Sequence, residues 1–332
     1  MKQNQKQLLT PPHSLSGMSP DTPILLGLSG GADSVTLLHL LSEYCKKTGA
    51  PLYTAHVNHM IRGADARRDR DFCEALAAKY SVPCYVLEID VPAAARERGI
   101  GLEEAARQVR YDFFDGLMLR HSIPLLATAH NADDALETLI FNISRGCGLS
   151  GLGSIPPVRP FGDGLLIRPL LTASKAEVLE YCAENSLEFV TDATNADDTY
   201  SRNHIRHNIV PAMKQLNSAV LKNTARLCES ARTDAEFMDG LVSEYLARPD
   251  ALSLSSLRSL HHALLCRVLS RLYAEASGGL LCAEAVHISD MIKLIERGVG
   301  NSAVSLPGLV RAQIKSGRLE FVPDPRKNFR HL

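Results

Sequence analysis

The sequence has almost no excess charge of either sign: 36 Lys and Arg stand against 37 Asp and Glu in 332 residues, a formal net charge of −1. A uniformly basic or acidic surface is thereby excluded, and a polyanion would have to be met by local patches. No run of about 18 consecutive apolar residues occurs, so no membrane span is expected. Residues 1–22 are polar, contain Pro and Ser and hold no apolar leader; a cytoplasmic protein with a flexible segment over 1–21 is the expectation. The cysteines (Cys45, Cys73, Cys84, Cys147, Cys182, Cys228, Cys266 and Cys282) never form a Cys-x-x-Cys pair. That argues against a zinc ribbon, an iron–sulfur centre and a disulfide framework, and for reduced thiols that mostly pack. Internal repeats and low-complexity tracts are also missing. The length exceeds one ordinary core, so two domains are expected.

The most informative stretch that is present runs from Pro23 to Leu41, where an apolar segment ends in Ser29-Gly30-Gly31-Ala32-Asp33-Ser34 and continues as an apolar helical pattern. It reads as strand, phosphate loop and helix. Two glycines let the chain turn sharply and gather bare N–H groups at a helix N-terminus, where aligned peptide dipoles favour an anion. Ser29 and Ser34 add hydroxyl donors. Asp33 puts a negative charge where a plain phosphate cradle would avoid one, which suits a Mg²⁺ ion bridging to phosphate oxygens. Because no Gly-Lys-Ser/Thr follows, this is not the lysine-bearing loop of P-loop NTPases.

Strand and helix patterns then alternate to about residue 190: strands over 52–58, 84–89, 124–129 and 165–170, helices over 65–80, 103–119, 133–144 and 175–185. This alternation predicts an α/β fold, a doubly wound parallel sheet with ligands at the carboxyl ends of its strands, over residues 22–200. From residue 201 to 332 the pattern becomes mostly helical (203–247, 257–276, 283–298), with a terminal β-hairpin around Lys315-Ser316-Gly317-Arg318. Residues 200–232 carry Arg202, Arg206, Lys214, Lys222, Arg226 and Arg232 against Glu229 alone, and Arg311, Lys315, Arg318, Arg326, Lys327 and Arg330 stand near the end. Such segments suit a polyanion on one face, although a solvated helix face would look the same.

Further constellations fall at predicted strand ends. His56, His59 and Arg62 close the second strand. Glu103, Arg107 and Arg110 share one helical face, where an exposed ion-pair ladder is the plain alternative. His130, Asp134 and Glu137 sit together after the fourth strand, although acids in a first helical turn are ordinary dipole partners. Asp192-Ala193-Thr194-Asn195 and Tyr200 to Arg206 mark the domain junction.

The order and spacing of these motifs, with the Arg145-Gly146-Cys147-Gly148 loop and Ile167-Arg168-Pro169-Leu170, closely resemble tRNA(Ile)-lysidine synthetases of the PP-loop ATP-pyrophosphatase superfamily, from about residue 22 to 215. The resemblance implies an ATP-dependent ligase that adenylates the wobble cytidine of a CAU-anticodon tRNA(Ile) and then joins L-lysine to it. ATP and Mg²⁺ would be held by Ser29, Gly30, Gly31, Ala32, Asp33, Ser34, His56 and Arg62, with Asp33 as metal ligand. Asp33, His130 and Arg110 would carry the chemistry, Asp134, Glu137 and Arg107 the lysine, and Arg145, Arg202, Arg206 and Lys214 the tRNA. A homodimer is an open alternative to a monomer. Cys147 stands where the family more usually has a small hydroxyl residue, and the chain ends near 332 where many members carry a further domain, so it reads as a shorter or trimmed member. The rivals are a sulfur-inserting tRNA thiolase, which would need poised cysteines, an amide-forming synthetase of the NAD or GMP type, and an ATP-binding sensor.

Overall fold

A computed structural model describes residues 19–60, 64–190, 200–278, 283–300 and 302–325. Arg62, residues 192–195, Cys282 and the basic residues Arg326, Lys327 and Arg330 lie outside the described residues, as does most of the expected flexible segment.

Six strands form the main sheet: β1 (Ile24–Gly27), β2 (Leu52–Asn58), β3 (Cys84–Glu88), β4 (Leu125–Ala127), β5 (Val158–Phe161) and β6 (Gly164–Ile167), in the order β3-β2-β1-β4-β6-β5. All neighbours run parallel except β5, which pairs antiparallel with β6 at the edge. Side chains of β1 alternate between two cores, which is why its sequence is continuously apolar. Ile24 and Leu26 pack with Leu37, Leu38 and Leu41 of α1 (Ala32–Thr48), whereas Leu25 packs with Phe114, Leu117 and Met118 of the helix on the other face. Chain order reverses direction between β1 and β4, which opens a crevice at their carboxyl ends.

Helices α2 (Ala64–Lys79), α3 (Val91–Arg98), α4 (Leu102–His121), α5 (Ala132–Ser144) and α6 (Lys175–Glu184) complete the βα units. The sequence pattern finds four of these; α3 and strand β5 were not expected. After α7 (Tyr200–His204) the chain widens into one π-helical segment, Ile205–Ile209, before α8 (Val210–Leu216). Ile205, Val210 and Val220 bury against Leu136 of α5. The chain divides into two compact units, Met1–Ala231 and Arg232–Leu332.

The second unit takes the end of α9 (Val220–Leu246), α10 (Leu254–Ser259), α11 (His262–Ala276) and α12 (Ala285–Arg297), followed by β7 (Ala303–Leu306), β8 (Val310–Lys315) and β9 (Arg318–Pro323). The strands form an antiparallel three-stranded sheet, one strand more than the expected hairpin. Val268, Leu269, Tyr273, Met291 and Leu257 are almost wholly enclosed in its core.

Candidate active site

The loop after β1 is built by its own residues. Gly30 adopts φ +85, the left-handed region, and a Cβ there would stand 3.3 Å from the Cys73 sulfur, so both backbone freedom and lack of a side chain are used. Ser34 Oγ donates to the Gly31 carbonyl at 3.0 Å and accepts the Ser29 N–H at 3.2 Å, closing the turn. Helix α1 starts at Gly31 with no side-chain cap, so its first N–H groups stay available to an anion.

A cleft of about 660 Å³ opens at this point, between the carboxyl ends of β1, β2 and β4. Ser29, Asp33, Ser34, His56, His59, Arg107, Arg110, His130, Asp134, Arg202 and Arg206 all line it. Sequence reasoning placed every one of these except His59 in a functional role, and motifs scattered over 178 residues of chain meet here because strand ends converge at a switch point.

One wall is acidic. Asn131 caps α5: its side-chain oxygen accepts the Asp134 N–H at 3.1 Å, and Asp134 returns a carboxylate oxygen to the Asn131 N–H at 2.9 Å. Burial, reinforced by the neighbouring Glu137 and Asp33 carboxylates, pushes Asp134 up to about 6. Glu137, almost fully buried, receives Arg206 Nε and a second guanidinium nitrogen at 2.8 Å each, while Arg206 lies 3.6 Å from Asp134. Asp33 accepts Asn131 Nδ2 at 2.9 Å and Lys175 Nζ at 2.5 Å. Asp133 accepts the Lys175 N–H at 2.8 Å and pairs with Lys214. Two carboxylates near enough to influence each other fit a Mg²⁺ ion, which takes one or two protein carboxylates and completes its shell with phosphate oxygens and water. Among the described residues no three His, Cys, Asp or Glu side chains converge into a closed metal cage.

The opposite wall is cationic. His130 bonds Thr128 Oγ1 through Nδ1 at 3.0 Å, and burial with Arg168, Arg107, Arg110 and Arg202 nearby lowers it to about 3. His59 is lowered to about 4 by burial and by Arg110, whose guanidinium stands 3.1 Å from Nε2. His56 bonds the Leu28 carbonyl at 2.9 Å and is also lowered, chiefly by burial. At about 3 and about 4, His130 and His59 are neutral at pH 7, and burial biases His56 the same way. Arg168, on the strand end after β6, is only 5% exposed, and burial lowers it to about 10.

Not every expected residue reaches the cleft. Arg145 lies over the Phe141 ring, 4.8 Å from its centroid, and does not line it. Of Arg206 and Lys214, both expected on a nucleic-acid path, Arg206 lines the cleft and Lys214 does not, and both pair with α5 carboxylates. Arg202 makes a half-exposed pair with Glu103 at 3.2 Å. Lys175, Asn131, Asp133 and Arg168 were missed as site residues; a position just past a predicted strand end was the signal available for Asn131 and Asp133, whereas Arg168 fell inside the predicted strand over 165–170. Among the described residues no cysteine lines the cleft, and burial raises Cys45 to about 11 and lifts Cys73 and Cys182 as well, so these thiols stay protonated.

The chain is similar in sequence or fold to several known proteins. A tRNA(Ile)-lysidine synthase of Geobacillus kaustophilus is 35% identical over 298 residues, covering 87% of this chain and 64% of that protein. The Bacillus subtilis tRNA(Ile)-lysidine synthase is 39% identical over 221 residues, 67% of this chain and 47% of its own. The chain thus spans less than two thirds of the length of these curated relatives. A U34-tRNA thiolase of Methanococcus maripaludis, solved with its 4Fe–4S cluster, superposes with a TM-score of 0.57 at 20% identity, over 69% of this chain and 76% of that one, a likeness of fold alone. The PP-loop domain pattern matches residues 1–213, spanning the loop, the cleft and the basic helices up to Met213. By that match, and by the phosphate loop at the sheet's switch point, the chain belongs to the PP-loop family.

Proposed function

We propose that this protein is a tRNA(Ile)-lysidine synthetase: it adenylates the wobble cytidine of a CAU-anticodon tRNA(Ile) with ATP and replaces the adenylate by the ε-amine of lysine. The observation that carries the reading is the juxtaposition, in one cleft, of an uncapped phosphate loop with a buried carboxylate wall. A loop of that kind suits a triphosphate, and a carboxylate wall suits an amine; the named relatives are tRNA(Ile)-lysidine synthases.

The chemistry follows from the substrates. The cytosine carbonyl oxygen attacks the α-phosphate and pyrophosphate leaves, which converts a poor leaving group into AMP. The lysine ammonium gives up one proton and attacks carbon 2 as the free amine; AMP departs and the new C–N nitrogen loses a second proton. Loop N–H groups with Ser29 and Ser34 would hold the phosphates, and Arg107 and Arg110 would offset charge that builds in the transition state. Mg²⁺, held by Asp33 with Asp134 at hand, would supply further charge neutralisation on the triphosphate. His130 stays neutral, since only about 1 in 10⁴ of such groups is protonated at pH 7 when the pKa is about 3. It therefore serves as a hydrogen-bonding group, and proton removal from the lysine amine falls to Asp134, whose raised pKa of about 6 makes it the better base. Arg202 and the basic helices are the proposed contact with the tRNA backbone, and the cytoplasm is the expected compartment.

The test is to incubate the protein with ATP, lysine and a CAU-anticodon tRNA(Ile) transcript and to analyse the digested nucleosides by mass. A lysine-dependent mass gain on cytidine, with pyrophosphate released, is expected. Pyrophosphate release that needs no tRNA, or a product carrying sulfur, would overturn the reading.

A further inference from the structure

The phosphate loop has no lysine of its own, yet the fold brings one to it from 142 residues downstream. Lys175 is the first residue of α6, and its ammonium donates to Asp33 Oδ2 at 2.5 Å, two residues past Gly31. Its main chain is fixed in three ways. Ser174 and Glu177 form a capping box around it, its N–H donates to Asp133 Oδ2 at 2.8 Å, and the preceding Ala173 carbonyl accepts the Ala132 N–H at 2.8 Å. The side chain, in contrast, is 41% exposed and sits on a flexible four-carbon stem.

A fixed base with a free arm suits a ligand that arrives at the loop. In the protein alone, the ammonium answers a carboxylate that would otherwise stand near Asp134 with, among the described residues, Asn131 alone as side-chain partner. A half-exposed pair of this sort is held weakly. A polyphosphate tail carries several charges and more acceptor oxygens, so exchange from carboxylate to phosphate favours the phosphate. The same movement releases one Asp33 oxygen for a metal.

The geometry points to Lys175 as the phosphate-binding lysine of this site: it leaves Asp33 when ATP binds and bonds the oxygens of the β- and γ-phosphates. The inference rests on the ATP reading above and adds a substrate-binding residue to it.

Calorimetric titration of the full chain with ATP, pyrophosphate and AMP, each with Mg²⁺, tests it. In Lys175→Ala, binding of ATP and pyrophosphate should weaken about ten- to a hundredfold, with AMP unchanged to about twofold; Lys175→Arg should recover much of the loss because it keeps the charge. Unchanged AMP binding doubles as the check that the variant is folded, and a purely structural role would not alter the ratio of ATP to AMP affinity. A Lys175→Ala protein with the wild-type ratio overturns the inference and leaves the ATP reading standing. Wild-type protein that binds no ATP overturns both.

Discussion

Asp134→Asn should make the protein more stable at pH 8 while harming its chemistry. The carboxyl is raised from 3.8 to about 6, first by burial and then by Glu137 and Asp33. A carboxyl raised on folding binds its proton more tightly in the folded state, so its contribution is full below pH 3.8 and is lost as pH rises toward 6. A shift of about 2 units corresponds to at most about 3 kcal/mol. Because 28% of the side chain faces the cleft, and water there screens the charge, we expect about 1–2 kcal/mol. Asparagine keeps an acceptor for the Asn131 N–H and removes the charge. The assay is urea unfolding of both proteins at pH 4 and pH 8: the variant's advantage at pH 8 minus that at pH 4 should be about +1–2 kcal/mol, and the subtraction cancels any pH-independent change in the helix cap. Were the variant equally stable relative to wild type at both pH values, or less stable at pH 8, Asp134 would not be raised and its proposed role as proton acceptor would lose its basis.

Three more outcomes are expected. Asp33→Asn should fold normally yet release pyrophosphate at least about a hundredfold more slowly at saturating Mg²⁺, since it removes the metal-binding charge but leaves the loop N–H groups; a wild-type rate would show that the carboxylate is dispensable. Arg206→Ala strands the buried Glu137, and because Arg206 is 39% exposed the loss should be about 1–2 kcal/mol, short of the 3–5 kcal/mol of a fully buried pair; adding Glu137→Gln should restore part of it, and strictly additive losses in the denaturation midpoints would argue against coupling. Arg202→Ala should weaken tRNA binding and make the slope of log affinity against log salt shallower by about 0.7–0.9, with an unaltered slope assigning Arg202 to the cleft alone.

The phosphate loop and the alternation of strand and helix were legible because each is written in contiguous residues. The loop needs two glycines and a serine within six positions, and a doubly wound sheet follows from repeated apolar runs of strand length. Strand β5 was not legible: Val158-Arg159-Pro160-Phe161 mixes charge with a proline, which only an edge strand tolerates. Helix α3 opens on Val91-Pro92 and holds two fully or nearly buried residues, Val91 and Ala95, too few to print a period. The boundary expected at residue 200 rests on local pattern alone. A change from strand to helix patterns reports local propensity, but the helices up to 231 belong to the first unit because Ile205 and Val210 bury against α5. Long-range pairs were the least legible. Nothing in the neighbourhood of Lys175 announces Asp33, and the basic run at Arg206 and Lys214 reads as a solvated or nucleic-acid face until α5 is folded beside it.

Those pairs also divide labour among the acids. Asp33 and Asp134 line the cleft, Asp133 and Glu137 stand on the same helix as Asp134, and the four would repel one another if all were ionised and unpartnered. The chain meets the problem with its own cations: Lys175 on Asp33, Lys214 on Asp133, and Arg206 bidentate on Glu137. Asp134 is the one left with a weaker partner, since Arg206 stands 3.6 Å away and only the cap N–H of Asn131 bonds it closely. Its raised pKa is the electrostatic mark of that position. On the proposed reading, a cationic substrate therefore meets Asp134 directly, and Glu137 acts mainly by holding Arg206. The sequence, which placed Asp134 and Glu137 one turn apart on the same helix face, could not separate these two roles. Their shared partner Arg206, from the π-helical segment, does.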